Sequence, residues 1–521
     1  MKWKTLRHNG VAFPPEYQYK GLNMSIRGKK VRLSTLGEEM AYAWAMKIGT
    51  PYVLDEIFAS NFLSDFRKQL PEEFSDITIK DLDFSEFVGQ HEKEKEWKSI
   101  SENKKKLSKE RKELRLAMKE KYGYAEVDGK QTEIANWMVE PAGLFLGRGK
   151  HPLRGHWKPR VYPKDVTLNL DEGAPVPLGD WGKIVHDHDS MWLASWTERL
   201  TGKIKYVWLH DSSSLRQQRD RAKYDNAKKL EKHLGRVREH VRKGLMSNEG
   251  KIRELATVSY LIDKLCMRVG DEKEEDEADT VGASTLRVEH VVINNKCISF
   301  NFLGKDSVLW EKDLMIDDEL SKLFKENLQG FVKGKRPEQP IFGDVNSYYV
   351  NKFLSKAVKG LTAKNFRTFH ATNVVRRYLS EHDSFQEEGS EQLKLFHAKI
   401  ANLQAAITCN HKRTPPKSWE SSLEKKRERL RRLKKNIPKT DKAKARLEER
   451  ISKADLAVKL HEETRDYNLN TSLRNYIDPR VYKSWAEYVG LDWHIIYNKT
   501  LQIKFAWVSR SSQNWSLKTR H

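Results

Sequence analysis

The sequence predicts a mixed α/β fold divided over several domains. Three observations carry this reading. The chain has 521 residues, roughly three to four ordinary domain lengths. Its texture alternates between strand-like stretches broken by Pro and Gly and long, densely charged helical runs. Hydrophobic residues make up 38%, and 15 Trp, 19 Phe and 18 Tyr are too many large apolar faces to leave in water.

Residues 1–90 read as compact mixed structure. Turn signals (HNG at 8–10, FPPEY at 13–17) precede a short strand-like KKVRLS, then a helical pattern from Glu38 to Ile48. Residues 91–122 form a charged run with sparse apolar anchors Trp97, Leu107, Leu114 and Met118, which predicts an exposed helix or a pair of them. From 134 to 212 the chain turns to Pro, Gly, Trp and period-two alternation, the pattern of short strands. A second basic helical stretch covers 216–245. It leads into an apolar helix at 251–268 whose leucines, valine and isoleucine predict one buried face. Strands around 285–310 and helices to about 410 follow.

Residues 420–466 carry 16 Lys/Arg against 10 Asp/Glu, a net of +6. Leu423, Leu430, Leu433 and Ile437 precede a break at Pro438, and Leu447, Ile451, Ala454 and Val458 recur after it. That spacing predicts two helices joined at a proline turn and zipped along a narrow stripe. The remaining unit, 469–521, is rich in aromatic residues, among them Tyr476, Tyr482, Trp485, Tyr488, Trp493, Tyr497, Phe505 and Trp507.

Lys plus Arg number 96 against 73 Asp plus Glu, leaving +23. Such a surplus favours a polyanionic partner, most simply nucleic acid. Three scattered cysteines, Cys266, Cys297 and Cys409, make neither a disulfide framework nor a CxxC metal site. No stretch approaches the roughly 18 apolar residues of a membrane span, and the first residues lack a signal-peptide core. These features point to a soluble protein of a reducing, intracellular compartment.

No GxxxxGK[ST] loop, HExxH motif or Cys/His cluster occurs, so neither ATP nor a bound metal is called for by motif. What stands out is a set of residues in unusual surroundings. Arg268 ends an otherwise apolar helical face beside a glycine turn, and Lys305 sits in FLGKDSV between apolar strand residues, the placement of a hairpin. Arg367 lies in LTAKNFRTF with Lys364 one turn before it. His411 precedes a proline pair, and Tyr476 lies in LRNYIDPR. Each alone has an ordinary structural explanation; together they match one chemistry. Cleaving a phosphodiester requires charge stabilisation on two non-bridging oxygens, for which arginines and a histidine, cationic when protonated, suit. It also needs a proton donor, such as a lysine, and an in-line nucleophile, such as a tyrosine that can hold the phosphate covalently.

At these residues the sequence resembles the eukaryotic type IB DNA topoisomerases. The resemblance runs almost collinearly from Trp3 to about Trp507 through FPPEY, AGLFLGRGKHP, KLCMRVGDEKEEDEADTVG, LRVEHV, FLGKDS, LTAKNFRTF, CNHKRTPP, LRNYIDPR and IYNKTLQIKFAW. It implies that Tyr476 attacks DNA to give a 3′-phosphotyrosyl link and a free 5′-hydroxyl. Arg268, Arg367 and His411 would stabilise the transition state, and Lys305 would protonate the departing 5′ oxygen. The cut strand would rotate about the intact one and then be resealed. Positive and negative supercoils would relax without ATP or a required cofactor, divalent cations at most stimulating. A water near Arg268 is the preferred base for Tyr476.

The resemblance also implies DNA or drug contacts at Arg148, Lys150, Lys364, Asp306 and Asn475, and hence sensitivity to the interfacial poison camptothecin. It casts the fold as a DNA clamp. Residues 1–213 would be an α+β cap, 214–414 a mostly helical, tyrosine-recombinase-like catalytic core, 415–468 a two-helix coiled-coil linker and 469–521 a small helical C-terminal domain. The lips of the clamp fall around Arg148–His156 and Glu275–Thr280. Double-stranded DNA is the implied partner of a monomer located in the nucleus, with replication or transcription machinery nearby. Lys425–Arg427 and Arg431–Lys435 serve either nuclear import or the linker's DNA-facing charge.

Several positions depart from the family pattern. Leu146 stands where an arginine is usual, Lys150 where asparagine is, and Asp271 where GNEKEE is usual. The long charged N-terminal tail of the family is not seen before Trp3, and the ending SRSSQNWSLKTRH carries nothing over. Two alternatives remain at this level: a tyrosine recombinase with the same catalytic residue types, and a non-enzymatic DNA-binding or chromatin protein. Relaxation of a supercoiled plasmid without a cognate site distinguishes them.

Overall fold

The computed structural model describes residues 1–271, 280–382, 389–511 and 515. The chain divides between Arg216 and Gln217 into two units.

The N-terminal unit has two cores. In one, strands Asn23–Ile26, Lys29–Arg32 and Leu82–Asp83 pack with helices Thr35–Ala45 and Glu56–Arg67. Phe58, Phe62 and Phe66 recur every fourth residue and present one apolar face, on which Trp44 stacks over Phe62 at 4.3 Å. In the other, two sheets close over Trp3, Leu6, Leu168, Leu193 and Trp196. One sheet is the antiparallel set Leu6–His8, Tyr124–Val127 and Lys130–Glu133. The second runs in the order Lys183–Val185, Val166–Asn169, Trp192–Thr197, Ile204–Trp208, with only its first pair parallel.

The charged run forms two helices, Ser85–Ser99 and Ser101–Tyr122. The anchors differ from the sequence reading: Trp97 and Leu114 are 48% and 60% exposed, and Phe87 is the residue buried. The apolar positions of the second helix are too sparse to make a continuous stripe, so none of its residues is buried.

In the C-terminal unit the basic stretch breaks at His233 into Ser214–Lys232 and Leu234–Leu245. The apolar helix is Gly250–Leu265, and it is buried on nearly every side rather than on one face. Helices Leu234–Leu245, Glu319–Val332, Ser347–Ala357 and Ala363–Glu381 all pack against it. Its polar residues adapt to this: Thr257 and Ser259 donate back to Arg253 O and Leu255 O, each at 2.7 Å. It stops at Leu265 because Cys266 turns left-handed (φ 55°), so Arg268 lies past the helix rather than on its face. An antiparallel sheet, Val291–Ile293, Cys297–Gly304 and Val308–Met315, flanks this core.

Helices Trp419–Lys434 and Asp441–Glu463 pack on each other through Leu423, Leu433, Ala454 and Val458. Thr440 caps the second, accepting from Ala443 N at 3.3 Å. Ile437 does not join the stripe; it is 91% exposed because the first helix has already ended before Pro438. The aromatic C-terminal segment and helices Ala363–Glu381 and Glu391–Thr408 share one core. Trp515, in the divergent ending, is buried there too. No described helix is long and apolar enough to cross a membrane.

Candidate active site

The site forms where two helices of the C-terminal unit end. Gly250–Leu265 leads into Cys266 and Arg268; Glu391–Thr408 leads into Cys409, Asn410 and His411. Asn410 turns left-handed (φ 53°), as Cys266 does, which redirects each chain within a single residue. Arg268 is then held by its backbone: Ala283 N donates to Arg268 O at 2.9 Å and Ser284 N to Val269 O at 2.7 Å. This crossing needs glycine on both sides, since a Cβ on Gly282 would lie 2.5 Å from Gly270 Cα.

Arg367 opens the second turn of Ala363–Glu381, behind a Thr362/Asn365 cap. Its buried guanidinium donates through Nη1 to Cys266 O and through Nη2 to Cys409 O, the latter at 2.9 Å. One guanidinium thereby joins the two helix ends. It also lies 5.0 Å from the Tyr476 ring centre and within 3.4 Å of His411 Nε2.

Tyr476 follows helix Leu469–Asn475. Thr372, one and a half turns beyond Arg367 on the same helix, fixes its backbone, donating to Tyr476 O at 3.3 Å and accepting from Asp478 N at 3.1 Å. The hydroxyl accepts from Arg268 Nη1 at 3.0 Å, and the His411 ring centre is 5.1 Å from that of Tyr476. Burial pushes the phenol's pKa up, but Arg367 and Arg268 outweigh it and the net direction is down.

His411 departs from the sequence reading. Burial, with Arg367 and Arg268 nearby, lowers its pKa to about 3 and so favours the neutral imidazole over the cation. Lys305 stands at the tip of the hairpin closed by the Gly304–Val308 pair. Arg268, Lys305, Asp306, Arg367 and His411 all line one cavity of about 200 Å³.

The other sequence candidates lie elsewhere. Lys364 and Asn475 are exposed at helix ends and do not line the cavity. Arg148 and Lys150 belong to the N-terminal unit, on the loop between Gly143–Leu144 and Trp157–Lys158. Leu146, on the same loop, packs against the Phe58–Phe62 core, an apolar role that explains its difference from a basic residue. Asp271 accepts from Ser347 N at 2.8 Å, satisfying a free donor at a helix start. Of the lip at 275–280, residues 275–279 lie outside the described residues.

Sequence reasoning missed the carbonyls of Cys266 and Cys409, which orient Arg367, and the polar lining from Asn410, Lys412, Asn468 and Thr471. No local pattern marks a backbone carbonyl as functional. The left-handed residue before His411 was the one legible trace, since asparagine favours that conformation.

A phenol with a lowered pKa, bonded to one guanidinium and lying over another beside a cleft lined by further cations, is an arrangement suited to covalent phosphoryl transfer. Comparison with known proteins narrows the class. Residues 1–209 match the DNA binding fragment of eukaryotic DNA topoisomerase I, residues 212–444 its catalytic core and residues 448–517 the C-terminal topoisomerase domain. DNA topoisomerase 1 of Homo sapiens is 36% identical over 552 residues, covering 97% of this chain and 71% of the human protein. The Rattus norvegicus protein is 35% identical, covering 97% and 70%, and that of Chlorocebus aethiops 36%, covering 97% and 70%. The chain belongs to the eukaryotic type IB DNA topoisomerase family. Its activity is ATP-independent relaxation of DNA supercoils through a phosphotyrosyl intermediate.

Proposed function

We propose that Tyr476 is the nucleophile of this reaction. Its hydroxyl gives its proton to a water held near Arg268, and the oxygen bonds to phosphorus as the bond from phosphorus to the 5′ oxygen breaks, leaving a 3′-phosphotyrosyl end and a 5′-hydroxyl. Arg268 and Arg367 neutralise charge on the non-bridging oxygens, and neutral His411 adds a hydrogen bond from its ring N–H. Lys305 supplies the proton to the 5′ oxygen from the hairpin tip. Religation reverses each transfer, so the diester energy is kept and no nucleotide is consumed. The observation that supports this most is the 3.0 Å bond between Arg268 and the Tyr476 hydroxyl.

Around this chemistry, residues 1–213 act as the DNA-binding cap and 214–414 as the recombinase-like core. The hairpin within 415–468 is a coiled-coil linker whose +6 charge faces DNA and slows rotation, and 469–521 delivers Tyr476. Arg148, Lys150, Lys364, Asp306 and Asn475 contact DNA near the cleavage position. Binding goes mainly to phosphates and therefore weakens with salt. The enzyme works as a monomer in the nucleus.

Tyr476→Phe tests the reading. It keeps duplex affinity within about threefold but abolishes both plasmid relaxation and the covalent adduct. Relaxation persisting in that variant would refute the assignment.

A further inference from the structure

Two side chains bridge the same pair of helix ends, one residue apart. Arg367 joins the carbonyls of Cys266 and Cys409. Lys312 joins those immediately before them: its Nζ donates to Thr408 O at 2.7 Å and to Leu265 O at 3.4 Å. Three residues after Leu265 comes Arg268, and three after Thr408 comes His411. The last carbonyls of a helix lack intrahelical donors and carry the negative end of its dipole. A cation between two such ends satisfies both and offsets their mutual repulsion.

Lys312 also belongs to Val308–Met315, the strand that leaves the Lys305 turn. Its ammonium lies 5.6 Å from the Trp310 ring centre, half-buried, and its hydrogen-bond partners are carbonyls rather than carboxylates. On the same strand, Leu309 O accepts from Asn410 Nδ2 at 3.0 Å. The hairpin that carries Lys305 is thus fastened at two points to the segment that carries His411, and at one of them to the segment that carries Arg268.

We propose that Lys312 is a positioning residue for cleavage and religation, holding Arg268, His411 and the Lys305 hairpin in a common register. The proposal rests on the roles given above. Removing the ammonium leaves two helix-end carbonyls facing each other without a donor, and the segments behind them separate. Shifts of about 1 Å in such a constellation cost on the order of 10²-fold in rate.

The test uses the full chain with Lys312→Met, which removes the donors, and Lys312→Arg, which keeps a cation able to reach two carbonyls. Single-turnover cleavage of a short duplex is measured beside duplex affinity and thermal melting. Lys312→Met is expected to slow cleavage by about 10²-fold with affinity within about threefold, and Lys312→Arg to recover most of the rate. A duplex with sulfur replacing the departing 5′ oxygen, which needs no proton from Lys305, should stay slow with Lys312→Met. Wild-type cleavage by Lys312→Met would overturn the proposal, as would full rescue by sulfur, which confines the effect to the hairpin. So would Lys312→Arg as slow as Lys312→Met, or failure of both variants to fold, which makes the lysine purely structural. Tyr476→Phe run in parallel separates this from the wider reading: an adduct there faults the nucleophile, while the Lys312 comparison still reports on register.

Discussion

Arg268 Nη1 and Tyr476 Oη meet at 3.0 Å across 208 residues of sequence. With the Arg367 charge, the contact favours the ionised form of the phenol. Burial alone would raise the Tyr476 pKa, whereas Arg367 and Arg268 bring it below its ordinary value. Arg268→Ala should therefore move the pH–rate profile of cleavage to higher pH, because the phenolate forms later. It should also slow cleavage by about 10²–10³-fold, the usual cost of one lost donor at developing charge. An unshifted profile would show that Arg268 does not tune the nucleophile.

His411 titrates near 3 because burial and the two arginines disfavour its charged form. Cleavage should show no inflection near pH 6.5 from this residue. His411→Gln, which retains a neutral N–H donor, should keep more activity than His411→Ala. The unfolded chain takes up the proton first, so the contribution of neutral His411 is present above about pH 6.5 and lost as pH falls toward 3, at up to about 1.4 kcal/mol per pH unit. Burial lowers His8 to about 4, with the same sign. Urea melts of wild type and His411→Gln between pH 7 and 4 measure the difference; parallel curves would exclude it.

Gly282 lets the Arg268 segment cross at backbone contact, and a Cβ there would fall 2.5 Å from Gly270 Cα. Gly282→Ala should displace Arg268 and slow cleavage at least tenfold while duplex binding stays near wild type. Equal rates in single-turnover cleavage would show that the crossing does not position the arginine.

Trp515 donates to Asp478 Oδ2 at 2.7 Å and lies between Arg376 and Lys228, 5.0 and 5.3 Å from its ring centre. Asp478 in turn caps the helix after Tyr476 and pairs with fully buried Arg480. Trp515→Ala should cost about 3–5 kcal/mol, typical of a buried tryptophan, seen as a lower denaturation midpoint. A change under about 0.5 kcal/mol, the ordinary range of an exposed position, would mean the indole contributes no packing.

Much of this was legible in the sequence because the chemistry needs particular side chains in ordered contexts. Lys305 between apolar strand residues announced a hairpin, and the proline break at 438 announced two helices. Patterns that depend on neighbours were not legible. Helix Gly250–Leu265 showed an apolar face in sequence but is enclosed by four other helices. Trp97 and Leu114 resembled anchors, yet both are left largely exposed. Lys312 carries no signal in the sequence, since its partners are backbone carbonyls distant along the chain. The ending that holds Trp515 was read as carrying nothing over from the family, yet the match to the C-terminal topoisomerase domain reaches residue 517 and the fold buries the indole.

The most direct test is to identify the residue that becomes joined to DNA. Wild-type enzyme is denatured during relaxation of a supercoiled plasmid, the DNA is digested, and the modified peptide is sequenced by mass spectrometry. The modification should map to Tyr476, through a phosphate at the 3′ end of the cut strand, and be lost in Tyr476→Phe. A nucleotide on any other residue, or a 5′-linked phosphate, would contradict the account.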